Sequence, residues 1–194
     1  MYPEKRAAPA SKSGIDEIDA IRRVAQGDKR AFELLYRCYF RRLTRFLDPI
    51  TRRPQLTEEI LDDTMVVVWH KAASFNGASS LSTWIFAIAH NKAMKALKRE
   101  KRLSEVPYEA DETRESPSPE GDFIEVQTRT GLQHFLAALS AEQRAVVELT
   151  YYYGHAYGEI AEIVGCPVDT VKTRMFHARR KLKAMLLKHG KDAL

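Results

Sequence analysis

Lys172, Thr173, Phe176, His177 and Arg180 follow one another at alternating intervals of one and three residues, the spacing that gathers side chains onto one side of an α-helix. Cations, a hydroxyl and an aromatic ring presented together can meet phosphates and base edges in a DNA major groove. Away from them, Val171, Met175, Ala178 and Leu182 form an apolar stripe that would hold this helix to a partner. That partner precedes it. Ile160, Ala161 and Val164 share one face, Gly165 suits the left-handed residue that ends a helix, and Pro167 with Asp169 suits the start of the next. Helix, turn and helix make a DNA-reading hairpin; the plainer reading is a solvated basic face.

Two other stretches carry chemistry. Residues 74–82, S-F-N-G-A-S-S-L-S, have the small polar residues of a loop, anchored by Phe75 and Leu81. A helix capped by Ser82 or Thr83 follows and becomes strongly basic from Lys92 to Arg102. A roomy polar loop beside an aromatic residue and a cationic helix suits single-stranded or unstacked nucleic acid. Upstream, Glu59, Asp62, Asp63 and Val66 or Val67 form a strip that is half acidic and half apolar. It reads equally as a protein-docking surface and as a solvated helix face.

The remaining chain supplies elements to position these groups. Residues 1–14 have no period and read as a disordered leader. Ile15, Ile18, Ile21, Val24 and Ala25 predict a first helix stopped by Gly27. Asp28 can cap a second, with a stripe from Phe32 to Leu47, an outer face of Arg37, Arg41, Arg42 and Arg45, and an end before Pro49. Thr57 can cap a third that packs Ile60, Leu61, Met65 and Val68 inward. Residues 103–130 hold three prolines and eight acids against two basic residues and read as an extended linker. Helix resumes at Leu132, Phe135, Leu136 and Leu139, and Ser140 with Gln143 fits a capping box opening a helix that ends near Gly154. The expectation is an all-α chain of two helical domains joined by an acidic linker.

Charge divides the same way. Residues 1–104 carry 20 Lys and Arg against 12 Asp and Glu, so two basic blocks flank the acidic spacer within a net charge of +5. That balance suits two nucleic-acid-facing modules and a linker that avoids DNA. Cys38 and Cys166 are far apart and match no metal-ligand spacing, nor do the six histidines. A cytoplasmic protein is expected, with no membrane insertion, metal or cofactor. No Ser-His-Asp, P-loop or paired-carboxylate arrangement has a supporting context, so no catalytic residue is expected.

Five blocks give the chain a family resemblance: G-D-K-R-A-F-E-L-L-Y at 27–36, E-E-I-L-D-D-T-M-V-V-V-W at 58–69, S-T-W-I-F-A-I-A-H-N at 82–91, L-S-A-E-Q-R-A-V-V-E-L at 139–149, and the run from Tyr157 to Arg179. In this order and spacing the sequence resembles the extracytoplasmic-function group of bacterial RNA polymerase sigma factors, of the sigma-70 type. The resemblance implies a domain over 15–102 that docks on core polymerase and melts the minus-10 element, a linker over 103–130, and a domain over 131–190 that reads the minus-35 element. It further implies that Glu59, Asp62, Asp63 and Val66 contact the polymerase. Phe75, Asn76, Ser80, Trp84, Asn91 and Lys95 would meet the minus-10 strand and a base flipped from it. Lys172, Thr173, Phe176, His177 and Arg180 would meet the minus-35 duplex. Promoter DNA, core RNA polymerase and an anti-sigma factor are the implied partners. Departures from the family pattern include Ala87 and His90 where arginines are frequent, Asp169 where Gly is common, and Ala156 where Ser or Thr usually caps a helix. A stand-alone dimeric helix-turn-helix regulator is the second reading.

Overall fold

A computed structural model describes residues 16–104 and 135–192. The expected leader and most of the expected linker lie outside those residues. Seven α-helices account for nearly all of the rest: α1 (Glu17–Ala25), α2 (Lys29–Thr51), α3 (Pro54–Lys71), α4 (Leu81–Ser104), α5 (Ala141–Tyr151), α6 (Tyr157–Val164) and α7 (Val168–Asp192). A single 3-10 turn, Ala72–Ser74, follows α3.

Local chemistry explains most of the boundaries. Asp16 and Asp28 cap α1 and α2, each carboxylate accepting two backbone N–H groups. Ser140 and Gln143 form the reciprocal capping box at α5. Three expected boundaries move. α2 does not stop before Pro49 but runs through it to Thr51, because a proline in the last turn forfeits one backbone hydrogen bond while Ile50 and Thr51 remain buried. α3 begins at Pro54, whose missing N–H is harmless at the first helical position. Thr57 is therefore not a cap; it is buried inside α3, its hydroxyl 2.7 Å from that of Thr51. Nor do Ser82 or Thr83 cap α4: Ser80 does, its hydroxyl accepting from the Thr83 N–H at 3.0 Å.

Helices α1 to α4 pack around Leu35, Leu43, Phe46, Leu61, Met65, Val68 and Ile85. Helices α5 to α7 pack around Val146, Leu149, Ile160, Ile163, Val171 and Met175. At about 1.5–3 kcal/mol for each large side chain removed from water, these clusters supply the main drive to fold. The two bundles do not stand apart: α6 lies against α4 and α5 against α2, so the buried residues form one continuous core.

Candidate nucleic-acid interface

The helix-turn-helix takes the expected form. Gly165 ends α6 at φ 65°, in the left-handed region, and the Cys166 N–H closes onto the Ala161 carbonyl at 3.1 Å. Val171, Met175 and Ala178 are buried, fixing the rotation of α7. Lys172, Thr173, Phe176, His177 and Arg180 are consequently all exposed on its far side, Phe176 at 61%. Within this face Lys172 pairs with Asp169 at 2.9 Å, and that hydrogen bond holds the Asp169 carboxyl below its usual range. The Arg180 guanidinium lies 6.0 Å from the Phe176 ring, at the outer limit of a cation–π contact. The result is an amphiphilic cationic ridge along the exposed side of α7.

The second surface centres on the loop between α3 and α4. The Phe75 ring packs 5.4 Å from Trp84, joining the loop to α4. Asn76 turns its side-chain oxygen back to accept from the Ala78 N–H at 3.0 Å. Along α4, Trp84, Asn91 and Lys95 are spaced seven and four apart and so share one face, with Asn91 and Lys95 exposed. Phe75 and Asn76 also line a cavity of about 360 Å³, whose opposite wall is α1. Ser80 is placed differently: its hydroxyl is occupied at the start of α4 and lies 2.8 Å from the Thr83 hydroxyl.

On α3, Glu59, Asp62 and Asp63 are exposed, and Val66 is 53% exposed while Val67 is half-buried. The Tyr36 hydroxyl donates to Asp62 at 2.9 Å and Lys92 donates to Asp63 at 2.8 Å. Partners on α2 and α4 thus hold two of the carboxylates in place beside an exposed valine.

Sequence patterning missed the seam between the bundles. Arg42, expected on an outer face, turns inward, donating to Glu17 at 3.3 Å and to the Ser82 hydroxyl at 2.7 Å while stacking over Tyr39. The Tyr153 ring meets Phe86 at 4.7 Å and Phe46 at 6.2 Å, and His155 lies 5.8 Å from Phe86. Glu159 of α6 accepts from the Ala156 N–H at 2.9 Å with one oxygen and from the Thr83 hydroxyl of α4 at 3.4 Å with the other. His90, one helical turn beyond Phe86, is 3% exposed and neither ring nitrogen has a hydrogen-bond partner among the described residues. Burial, and then the neighbouring Arg174, push its pKa down to about 4. Arg144 is also buried and donates to the carbonyls of Leu136, Ala137 and Leu139 at 2.8–3.1 Å; burial is the main cause that pushes its pKa down to about 10. A cationic residue directly ahead of the apolar run Ala145, Val146 and Val147 was the available signal, since a charge that is drawn in with such a run must satisfy its donors internally.

Comparison with known proteins accounts for both bundles. The Sigma-70 region 2 family matches residues 35–103, and the Sigma-70, region 4 family matches residues 129–182. The ECF RNA polymerase sigma factor SigM of Mycobacterium tuberculosis is 30% identical over 165 residues, covering 82% of this chain and 79% of the relative. The ECF RNA polymerase sigma-E factor of Haemophilus influenzae is 28% identical over 173 residues, covering 84% and 91%. Among solved structures, the sigma factor RpoE of Bartonella quintana in complex with the anti-sigma factor NepR superposes with a TM-score of 0.62 at 25% identity, covering 80% of this chain and 96% of that one. CnrH in complex with the cytosolic domain of CnrY superposes at 0.63 with 23% identity, covering 88% and 96%, a likeness of fold. Among the described residues no helix is long and apolar enough to cross a membrane. With regions 2 and 4 present in order in one chain, each folded as its own helical bundle, this protein belongs to the extracytoplasmic-function sigma factors of the sigma-70 family.

Proposed function

We propose that the chain works in the cytoplasm as a dissociable subunit of RNA polymerase, selecting promoters through two separated DNA elements. Residues 15–102 are the module that docks on the core enzyme and opens the minus-10 element, residues 131–190 the module that reads the minus-35 element, and residues 103–130 the tether. Glu59, Asp62, Asp63 and Val66 form the polymerase contact. Phe75, Asn76, Ser80, Trp84, Asn91 and Lys95 receive the melted strand, and Lys172, Thr173, Phe176, His177 and Arg180 enter the major groove. Extruding a base costs a few kcal/mol, which an apolar cleft beside a cationic helix can offset.

The observation that carries this reading is the pairing of region 2 with region 4 in a single chain, each leaving its basic face uncovered. A stand-alone regulator would need only the second. By likeness to the structure of the sigma factor RpoE bound to the anti-sigma factor NepR, a protein inhibitor of that kind is the expected regulator. Run-off transcription with purified core RNA polymerase over a promoter library tests the proposal. Discrete start sites that depend on added protein are expected; no initiation at any site would overturn it.

A further inference from the structure

Beside the loop that carries Phe75, the cavity of about 360 Å³ has a second wall that the family assignment leaves unused. Its volume is near the lower end of the roughly 300–1,000 Å³ range of small-ligand clefts, the scale of one nucleotide. Ile21 and Ala72, both buried, give it an apolar floor, and Ile18 of α1 lines it although 39% exposed. An exposed isoleucine at a cleft mouth offers its face to something flat and apolar. Gly77, at φ 73° with nothing within 4 Å of where a Cβ would lie, keeps the loop side open.

Two polar side chains of this wall are uncommitted. Gln26, the residue that caps the C-terminal end of α1, is exposed and its carboxamide forms no hydrogen bond among the described residues. Arg22, one turn earlier, is exposed and forms no ion pair among them. Its neighbour Arg23 is the contrast: it is held by Asp28 at 2.7 Å and by Asp19 at 3.8 Å, and does not line the cavity. A carboxamide presents a donor and an acceptor side by side, the pattern that reads a base edge, and a free guanidinium is suited to a backbone phosphate.

We propose that α1 forms one half of a base pocket: an extruded base enters between α1 and the Phe75 loop, Gln26 reads its hydrogen-bonding edge, and Arg22 holds the adjoining phosphate. This rests on the promoter-opening function proposed above, and adds to it two specificity and positioning residues outside the loop and α4.

The test uses holoenzyme assembled from the full chain and core polymerase. Its probes are a promoter found in the run-off library, made single-stranded in the non-template strand across the minus-10 element, with all four bases or an abasic site at each position. Unaltered holoenzyme should prefer one base at one position by roughly ten- to hundredfold, and lose that preference on the abasic probe. Gln26→Ala should level the preference at that position alone. Arg22→Ala should weaken all four probes alike and reduce the salt dependence of binding by about one phosphate contact. Both residues are exposed, so neither change removes core packing. Preference and affinity that survive both substitutions would overturn the pocket while leaving the promoter function standing. Equal loss on intact and abasic probes for Gln26→Ala would overturn base reading. Absence of initiation by the unaltered holoenzyme would remove both proposals together.

Discussion

The Tyr153 hydroxyl donates to the backbone carbonyl of Arg42 at 2.6 Å, so a residue of the second bundle is hydrogen-bonded into the second helix of the first. Its ring is simultaneously wedged against Phe86 and Phe46. Tyr153→Phe removes only the hydrogen bond and should weaken the packing of the bundles by about 1 kcal/mol. Tyr153→Ala removes the ring as well and should cost about 3 kcal/mol or more. Small-angle scattering should then show a larger radius of gyration, with helical content retained; an unchanged radius would mean that Tyr153 is not what holds the halves together.

Acid should loosen the same seam. The packed state holds the His90 pKa near 4, below the ordinary value of 6.5, by burial and by Arg174 of α7, with Glu142 of α5 opposing. Burial likewise lowers His155, with Glu159 opposing and Arg42 assisting. Because the packed-state pKa is depressed, the His90 contribution is complete above about pH 6.5 and is lost as pH falls toward 4. The full span is up to about 3 kcal/mol. Thermal unfolding between pH 8 and pH 4.5 should show a decline below pH 6.5 that is shallower in His90→Leu.

Helix α6 starts without a side-chain cap. Ala156 has the extended backbone of a capping residue, φ −69° and ψ 154°, but only Glu159 reaches back to it. Ala156→Ser should complete the reciprocal arrangement and stabilise the protein by about 0.5–2 kcal/mol, read as a raised melting temperature.

Lys172 is exposed and paired with Asp169, so Lys172→Ala should leave stability nearly unchanged. If Lys172 contacts a base, the substitution should weaken holoenzyme binding to the preferred minus-35 sequence by roughly 1–3 kcal/mol relative to a mismatched one. A loss equal on both sequences assigns it to a phosphate.

Replacing Asp62 and Asp63 by Lys breaks exposed contacts to Tyr36 and Lys92, each of the class worth about 0–1 kcal/mol. The fold should survive, and association with core polymerase should be lost. Sedimentation of the variant with core enzyme decides it; undiminished association would remove α3 from the docking surface.

The helix-turn-helix and its outward residues were legible because apolar spacing, Gly165 and Pro167 all act within one turn of the positions they define. Boundaries misread at Pro49, Thr57 and Ser82 or Thr83 share a cause: each was judged by local propensity, while burial of Thr51, Thr57 and Thr83 and the position of Pro54 decided the outcome. The seam was invisible for a different reason. Phe86, Tyr153 and His155 each look like ordinary core residues of their own segment, and nothing in spacing shows that they meet one another. Arg42 was misplaced because an arginine at a helix edge reads as solvated until Glu17 and Ser82 are seen beneath it.

The continuous core also bears on how the molecule can unfold its reach. Parting the bundles would uncover Phe46, Phe86 and Tyr153 as an oily strip, and such strips drive self-association in dilute solution. An extended molecule is therefore poorly suited to drift alone through the cell, and stretching should coincide with the arrival of a replacement cover.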